Sequence, residues 1–128
     1  MAKLRHIAIR VKDVEASARF YEKIFGMTRA FENKDRAIYL SDGLMNLAIL
    51  NSATAQGENH FGFRVDDFGA VEAALTEAGA TYDSELGDPA GMNYERKWRD
   101  PEGNLFDVSE KGWYGALDEP IAEGAAAR

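Results

Sequence analysis

The chain contains two histidines, and both stand in nearly the same local sequence. Arg5 to Val14 reads RHIAIRVKDV and Asn59 to Phe68 reads NHFGFRVDDF, so His6, Arg10, Val11 and Asp13 are matched by His60, Arg64, Val65 and Asp67 at a constant offset of 54. A match of this kind at one register points to an internal duplication. Imidazole is the commonest side-chain metal ligand, so a duplicated histidine is the first candidate for chemistry. The third candidate is Asp107, within Leu105-Phe106-Asp107-Val108-Ser109. A carboxylate between Phe106 and Val108 in a buried strand must be solvated, paired or metal-bound, because an unpaired buried charge is costly. Two imidazoles with one carboxylate form a facial set that leaves coordination positions open and suits Fe(II) and other divalent first-row ions. Plainer roles compete: hydrogen-bonded or surface histidines, and an Asp107 paired with Arg96 or Arg99.

The elements that must position these groups follow from hydrophobic period. Ile7-Ile9-Val11 and Phe61-Phe63-Val65 alternate, which places the apolar side chains on one sheet face and each histidine on the other. Asp13 and Asp67 can cap helices carrying Val14, Ala18, Tyr21 and Phe25, then Phe68, Val71, Leu75 and Ala78, with Gly26 and Gly79 where helices commonly end. Each half then offers three short strands: about Met27 to Glu32, Ala37 to Leu40 and Asn46 to Leu50, and about Thr81 to Leu86, Tyr94 to Arg99 and Leu105 to Ser109. The expected class is α+β, two tandem βαβββ modules forming curled mixed sheets around a metal or ligand cup. The first module takes residues 1–52 and the second 58–110 of one domain, with a tail at 111–128. Asn51 to Asn59 reads as the linker, and Asp100-Pro101-Glu102-Gly103 carries turn chemistry. Trp113 and Tyr114 in the tail are expected to pack on a sheet edge or a partner subunit, and the last residues to be loose.

Composition narrows the function. The 128 residues are about one ordinary domain, too few for a two-domain enzyme of conventional size. Fifteen Lys and Arg against twenty-two Asp and Glu leave a formal charge of −7, the wrong sign for a general phosphate-backbone binder, so nucleic acid is not an expected partner. With no cysteine, disulfides, thiolate metal sites and cysteine nucleophiles are excluded, and metal chemistry must use nitrogen and oxygen. No apolar run approaches the roughly 20 residues of a membrane span, and Met1 to Lys12 alternates like a strand rather than a signal peptide. The expectation is a cytoplasmic protein with no membrane partner.

The segments HIAIRVKDVEASARFYEKIFGM, HFGFRVDD and RDPEGNLFDVSE resemble the vicinal oxygen chelate superfamily, which includes glyoxalase I, extradiol dioxygenases, methylmalonyl-CoA epimerase and the bleomycin- and fosfomycin-resistance proteins. The resemblance runs to about Lys111. It implies paired βαβββ modules curled into a cup, a homodimer, and one divalent metal ion (Fe, Mn, Ni, Zn or Co). It places the family's ligands on His6, His60 and Asp107, the last replacing the commoner Glu. The remaining ligand of glyoxalases and epimerases falls near Ala48, which cannot ligate, with Asn46 as a polar neighbour that offers an amide oxygen. That departure favours a dioxygenase-like triad over a glyoxalase-type lyase or isomerase.

Substrate contacts are expected from the seventh strand, where Tyr94, Arg96 and Trp98 share one face and Glu95, Lys97 and Arg99 the other. Tyr94 as a donor and Arg96 as a partner for a carboxylate or enolate are the candidate catalytic residues. Tyr39 and Phe31 read as packing, and Arg10 and Arg64 as cup residues or as ion pairs at the module seam. The functional expectation is a metal-dependent enzyme that chelates a small oxygenated organic substrate. The alternative is a metal-free ligand-sequestering protein of the bleomycin-resistance type, to which an acidic chain would draw a cationic ligand. A third role, as partner of another subunit, rests only on the aromatic tail.

Overall fold

The structure is a computed structural model that describes residues 2–55 and 59–117. The order βαβββ occurs twice. The first set is β1 (Lys3–Val11), α1 (Val14–Phe25), β2 (Thr28–Asn33), β3 (Ala37–Ser41) and β4 (Asn46–Asn51). The second is β5 (His60–Arg64), α2 (Phe68–Glu77), β6 (Thr81–Leu86), β7 (Glu95–Arg99) and β8 (Leu105–Ser109), followed by the short β9 (Gly112–Trp113) and β10 (Ala116–Leu117).

Local chemistry sets these boundaries. The Asp13 carboxylate accepts from Ala16 N at 3.0 Å and that of Asp67 from Ala70 N at 3.3 Å, satisfying donors that a helix start leaves without partners. Gly26 ends α1 in the left-handed region at φ 70°, where a Cβ would be strained, and its N–H bonds the Glu22 carbonyl.

Eight strands form one curled, unclosed sheet in the order β2-β3-β4-β1-β5-β8-β7-β6. Within each module the first and last strands pair in parallel, β1 with β4 and β5 with β8, while β1 and β5 meet antiparallel at the centre. The modules therefore join within this one chain, a matter the repeat alone leaves open.

Period two then sorts the side chains. On the helix side, Val14 and Ala18 of α1 pack with Ile38, Leu40 and Ile49, and a second cluster joins Val65, Trp98, Phe106 and Val108, with Phe68, Val71 and Leu75 of α2 against it. Burying each large aliphatic side chain contributes about 1.5–3 kcal/mol, which anchors each helix to its own module. With the apolar sets committed to the helices, the alternate residues face the concave side: His6, Tyr39, Asn46, Ala48, His60 and Asp107. Among the described residues no helix is long and apolar enough to cross a membrane.

The tail departs in part from expectation. Residues 112–117 turn back as the β9–β10 hairpin: Trp113 packs inside the cup on His6, while Tyr114 stacks on Phe31 of the edge strand β2. Residues 118–128, read from sequence as loose, lie outside the described residues, as do 56–58 of the linker.

Candidate metal centre

The central strands bring four side chains to one point. Donor atoms of His6, His60, Glu95 and Asp107 all lie within 4.8 Å of one another. His60 Nε2 is 2.9 Å from Asp107 Oδ2, His6 Nε2 is 3.5 Å from that same oxygen, and the two Nε2 atoms are 3.3 Å apart. The backbone register makes this convergence: β1 lies beside β5, and Gly62 of β5 pairs with Asp107 of β8.

His6 is held in one tautomer. It is 3% exposed, and burial pulls its pKa down to about 4 against the opposing pull of Asp107, so the ring is neutral near pH 7. The Asn46 amide donates Nδ2–H to the Tyr114 carbonyl at 2.8 Å, which turns its Oδ1 toward His6 Nδ1 at 2.6 Å. Nδ1 must therefore carry the proton, leaving the Nε2 lone pair aimed into the cluster. The Asn46 amide oxygen thus orients a histidine rather than ligating, and Ala48 offers no donor.

The carboxylates divide into two protonation states. Burial opposes ionisation of Asp107, but the Glu95 carboxyl, His60 and the Lys97 ammonium outweigh it and hold the group well below the usual carboxylate range. Lys97 Nζ donates to Asp107 Oδ1 at 2.8 Å. The other oxygen, Oδ2, is buried and accepts no hydrogen bond of good geometry. Glu95 behaves oppositely: burial first, then the hydrogen bond to Asp107 and its charge, push it well above its usual range, and Lys97 only partly offsets them. The shift favours the neutral, protonated form of Glu95.

These donors fit a divalent first-row ion. Two ligands at about 2.1 Å from a common ion, at tetrahedral or octahedral angles, lie roughly 3.0–3.4 Å apart. The separations of 2.9, 3.3 and 3.5 Å fall around that range. A buried carboxylate oxygen that accepts no hydrogen bond of good geometry, 3.5 Å from the His6 Nε2 lone pair, is the electrostatic setting a cation relieves. His6, His60 and Asp107 could hold the ion, with Glu95 in reach as a fourth donor, through a carboxylate oxygen, once ionised.

Tyr94 and Arg96 are not brought to this cluster. Arg96 Nε and Trp98 Nε1 donate to Glu72 of α2 at 2.5 and 2.6 Å, the Arg96 guanidinium sits 4.7 Å over the Tyr82 ring, and the Tyr94 hydroxyl bonds Glu85. The other face of β7 points into the cup and supplies Glu95 and Lys97. Arg64 pairs with Asp66, the ion-pair alternative for that residue. Tyr39 lines the cup, and burial, then the Glu95 and Asp107 carboxyls, push its phenol up to about 12, so it stays a neutral donor.

Comparison with known proteins agrees with this architecture. Residues 3–108 match the Glyoxalase/Bleomycin resistance protein/Dioxygenase superfamily, and the chain belongs to it. A curated relative, described as a probable trivalent organoarsenical cleaving enzyme from Bacillus subtilis (strain 168), is 30% identical over 110 residues, covering 80% of this chain and 75% of the relative. The 2,3-dioxygenase LapB from Pseudomonas sp. KL28 shares the fold at 22% identity and a TM-score of 0.68, over 94% of this chain and 44% of that one. The Mn(II)-bound glyoxalase from Novosphingobium aromaticivorans does so at 23% identity and 0.67, over 94% and 42%. The chain thus spans less than half of either of these two enzymes.

Proposed function

We propose that this protein is a divalent-metal-dependent enzyme acting on a small oxygenated organic substrate, with His6, His60 and Asp107 as ligands and dioxygenase-like chemistry. The carrying observation is the convergence of two Nε2 atoms and a buried Asp107 Oδ2 that accepts no hydrogen bond of good geometry. When bound, the ion would supply a Lewis acid that gathers adjacent substrate oxygens and, as Fe(II), a site for O₂. The chain's own residues do the rest. Asn46 fixes His6, Lys97 occupies Asp107 Oδ1 so that Oδ2 faces the cup, and the neutral Tyr39 hydroxyl donates to a substrate oxygen. Convergence of the three groups favours this reading over metal-free sequestration.

A lyase or isomerase reading is favoured by one feature, Glu95. A buried carboxyl whose proton is held by a neighbouring charge is suited to moving a proton beside a carbonyl. The organoarsenical relative suggests a third substrate, but trivalent arsenic is a soft, thiophilic centre and none of the 128 residues is cysteine. An oxygen-chelated substrate suits the donors present. The exposed Phe20, Ile24 and Phe25 on α1 support the homodimer that the family resemblance implies, which sedimentation would check.

The test begins with protein purified without chelator and assayed for stoichiometric Fe, Mn, Ni, Zn or Co, alongside H6A and D107A. Metal-loaded protein is then offered catechols while O₂ uptake is followed, and α-ketoaldehyde thiol adducts while isomerisation is followed. Stoichiometric metal lost in both variants, with O₂ uptake, supports the first reading. Isomerisation without O₂ uptake, lost in E95Q, supports the second. No metal in the wild type returns the protein to the sequestering class.

A further inference from the structure

The four-residue cluster lies beneath a roof made by its own chain. His6 is 3% exposed, Glu95 8% and Asp107 0%, so a substrate reaching open coordination positions requires something to move. The residue directly above is Trp113, itself 5% exposed. Its indole stacks on the His6 ring with centroids 4.5 Å apart and planes 7° from parallel, and its Nε1–H points to Glu95 Oε2 at 3.4 Å.

We propose that Gly112–Leu117 is a gating strap over the metal centre, with Trp113 as the plug that leaves when the cup opens. This rests on the reading of the cluster as a metal site. Three observations single out the strap as the part that moves. First, among the described residues β9 and β10 pair only with each other, forming a two-stranded sheet outside the eight-stranded ladder that fixes every ligand-bearing strand. A ribbon of two-residue strands has little stability of its own. Second, beyond its root, where Gly112 N–H donates to Ser109 Oγ at 2.9 Å, and the contacts of Trp113 itself, its anchors among the described residues are local: Ser41 Oγ donates to the Gly115 carbonyl at 2.7 Å, Asn46 Nδ2 donates to the Tyr114 carbonyl, and Tyr114 stacks on Phe31 at 5.0 Å. Third, Gly112 and Gly115 both sit at φ 84°, so glycines flank the Trp113-Tyr114 pair at points able to absorb backbone rotation. The Asn46 bond also ties the strap to the amide that orients His6, so opening the cup frees the ligand-orienting side chain.

The anchors can be cut without touching a donor atom of the cluster. S41A removes the bond to Gly115. G115A places a Cβ 2.5 Å from Ser41 Cβ and 3.1 Å from Ala30 Cβ, at a φ that strains any side chain, and so pushes the strap outward. Acrylamide quenching of Trp113, isolated by subtracting the W113F signal, reports opening with or without metal. Transfer of Co(II) to and from a chelator reports passage.

Loss of one anchoring hydrogen bond is expected to raise quenching of Trp113, and both Co(II) entry and exit, about fivefold. The Co(II) dissociation constant should stay within about twofold, since a gate changes rates and not the bound state. Wild-type quenching and exchange in both variants, with unchanged circular dichroism, would overturn the proposal. So would faster release alone with a matching loss of affinity, which marks a damaged site. If the wild type takes up no metal, the metal-centre reading falls, and the quenching comparison alone decides the strap.

Discussion

His6 and Asn46 are direct register partners in the parallel β1–β4 pair, and their side chains meet at 2.6 Å between Nδ1 and Oδ1. One backbone pairing therefore sets both the position of a candidate ligand and its tautomer. Removing the amide in N46A leaves the His6 ring in place but frees its orientation. Outer partners of ligating histidines typically contribute about 10–100-fold to metal affinity, so N46A is expected to weaken Co(II) or Zn(II) binding by that factor in an equilibrium titration. Unchanged affinity would mean that His6 is not a ligand.

The Asp107–Glu95 pair makes a second expectation. Burial, the hydrogen bond to Asp107 and the Asp107 charge together favour the protonated form of Glu95. A protonated-carboxyl infrared band should therefore persist at neutral pH in metal-free protein and vanish in E95Q. In D107N the neighbouring charge is gone while the shape is kept, so Glu95 is freer to ionise and pair with Lys97, whose Nζ already lies 3.9 Å from its Oε2. The band should weaken in D107N and metal affinity should fall by about 100-fold or more, because the anionic ligand is lost.

The buried His6 gives the metal-free protein a pH-dependent stability with a defined sign. Its pKa falls from 6.5 in the unfolded chain to about 4 in the folded one, chiefly through burial. The unfolded state therefore binds more protons between those values, and stability is full above 6.5 and declines as pH falls toward 4. Each pH unit separating the folded from the unfolded value is worth about 1.4 kcal/mol, so the decline reaches about 3 kcal/mol. Urea melts at stepped pH values would measure it, and H6Q, which carries no titrating ring, should flatten the slope in this window.

Much of the scaffold was legible because its signals are local. Duplicated strands with period-two alternation fix which face each histidine takes, and Asp13, Asp67 and Gly26 mark the helix ends by their own capping chemistry. Asp107 stood out as a carboxylate between apolar neighbours. Strand β7 was not legible, because both its faces carry charged residues, so alternation could not choose between Tyr94 with Arg96 and Glu95 with Lys97. The choice depends on β8, where Lys97 pairs with Asp107 across the ladder. Trp113 was hidden for a similar reason, since it reaches His6 from the far end of the chain with no periodicity to announce it. One signal was nevertheless present: where the first repeat has Ala8, the second has Gly62, at the same step after the histidine.

That exchange has a physical cause and a test. A Cβ on Gly62 would lie 2.8 and 2.9 Å from the Trp113 ring, closer than real contacts allow, and a tight 3.1 Å from Asp107 Cβ. Gly62 thus makes room for the indole over the cluster. G62A is expected to destabilise the protein by about 1–3 kcal/mol through overpacking. The indole supplies the two shortest of those contacts, so in a W113L background most of the penalty should disappear. The interaction energy from this double-mutant cycle, measured by urea denaturation, should then approach the single-mutant cost with opposite sign. A penalty of equal size in both backgrounds would show that Asp107 and the backbone, not Trp113, exclude a side chain at this position.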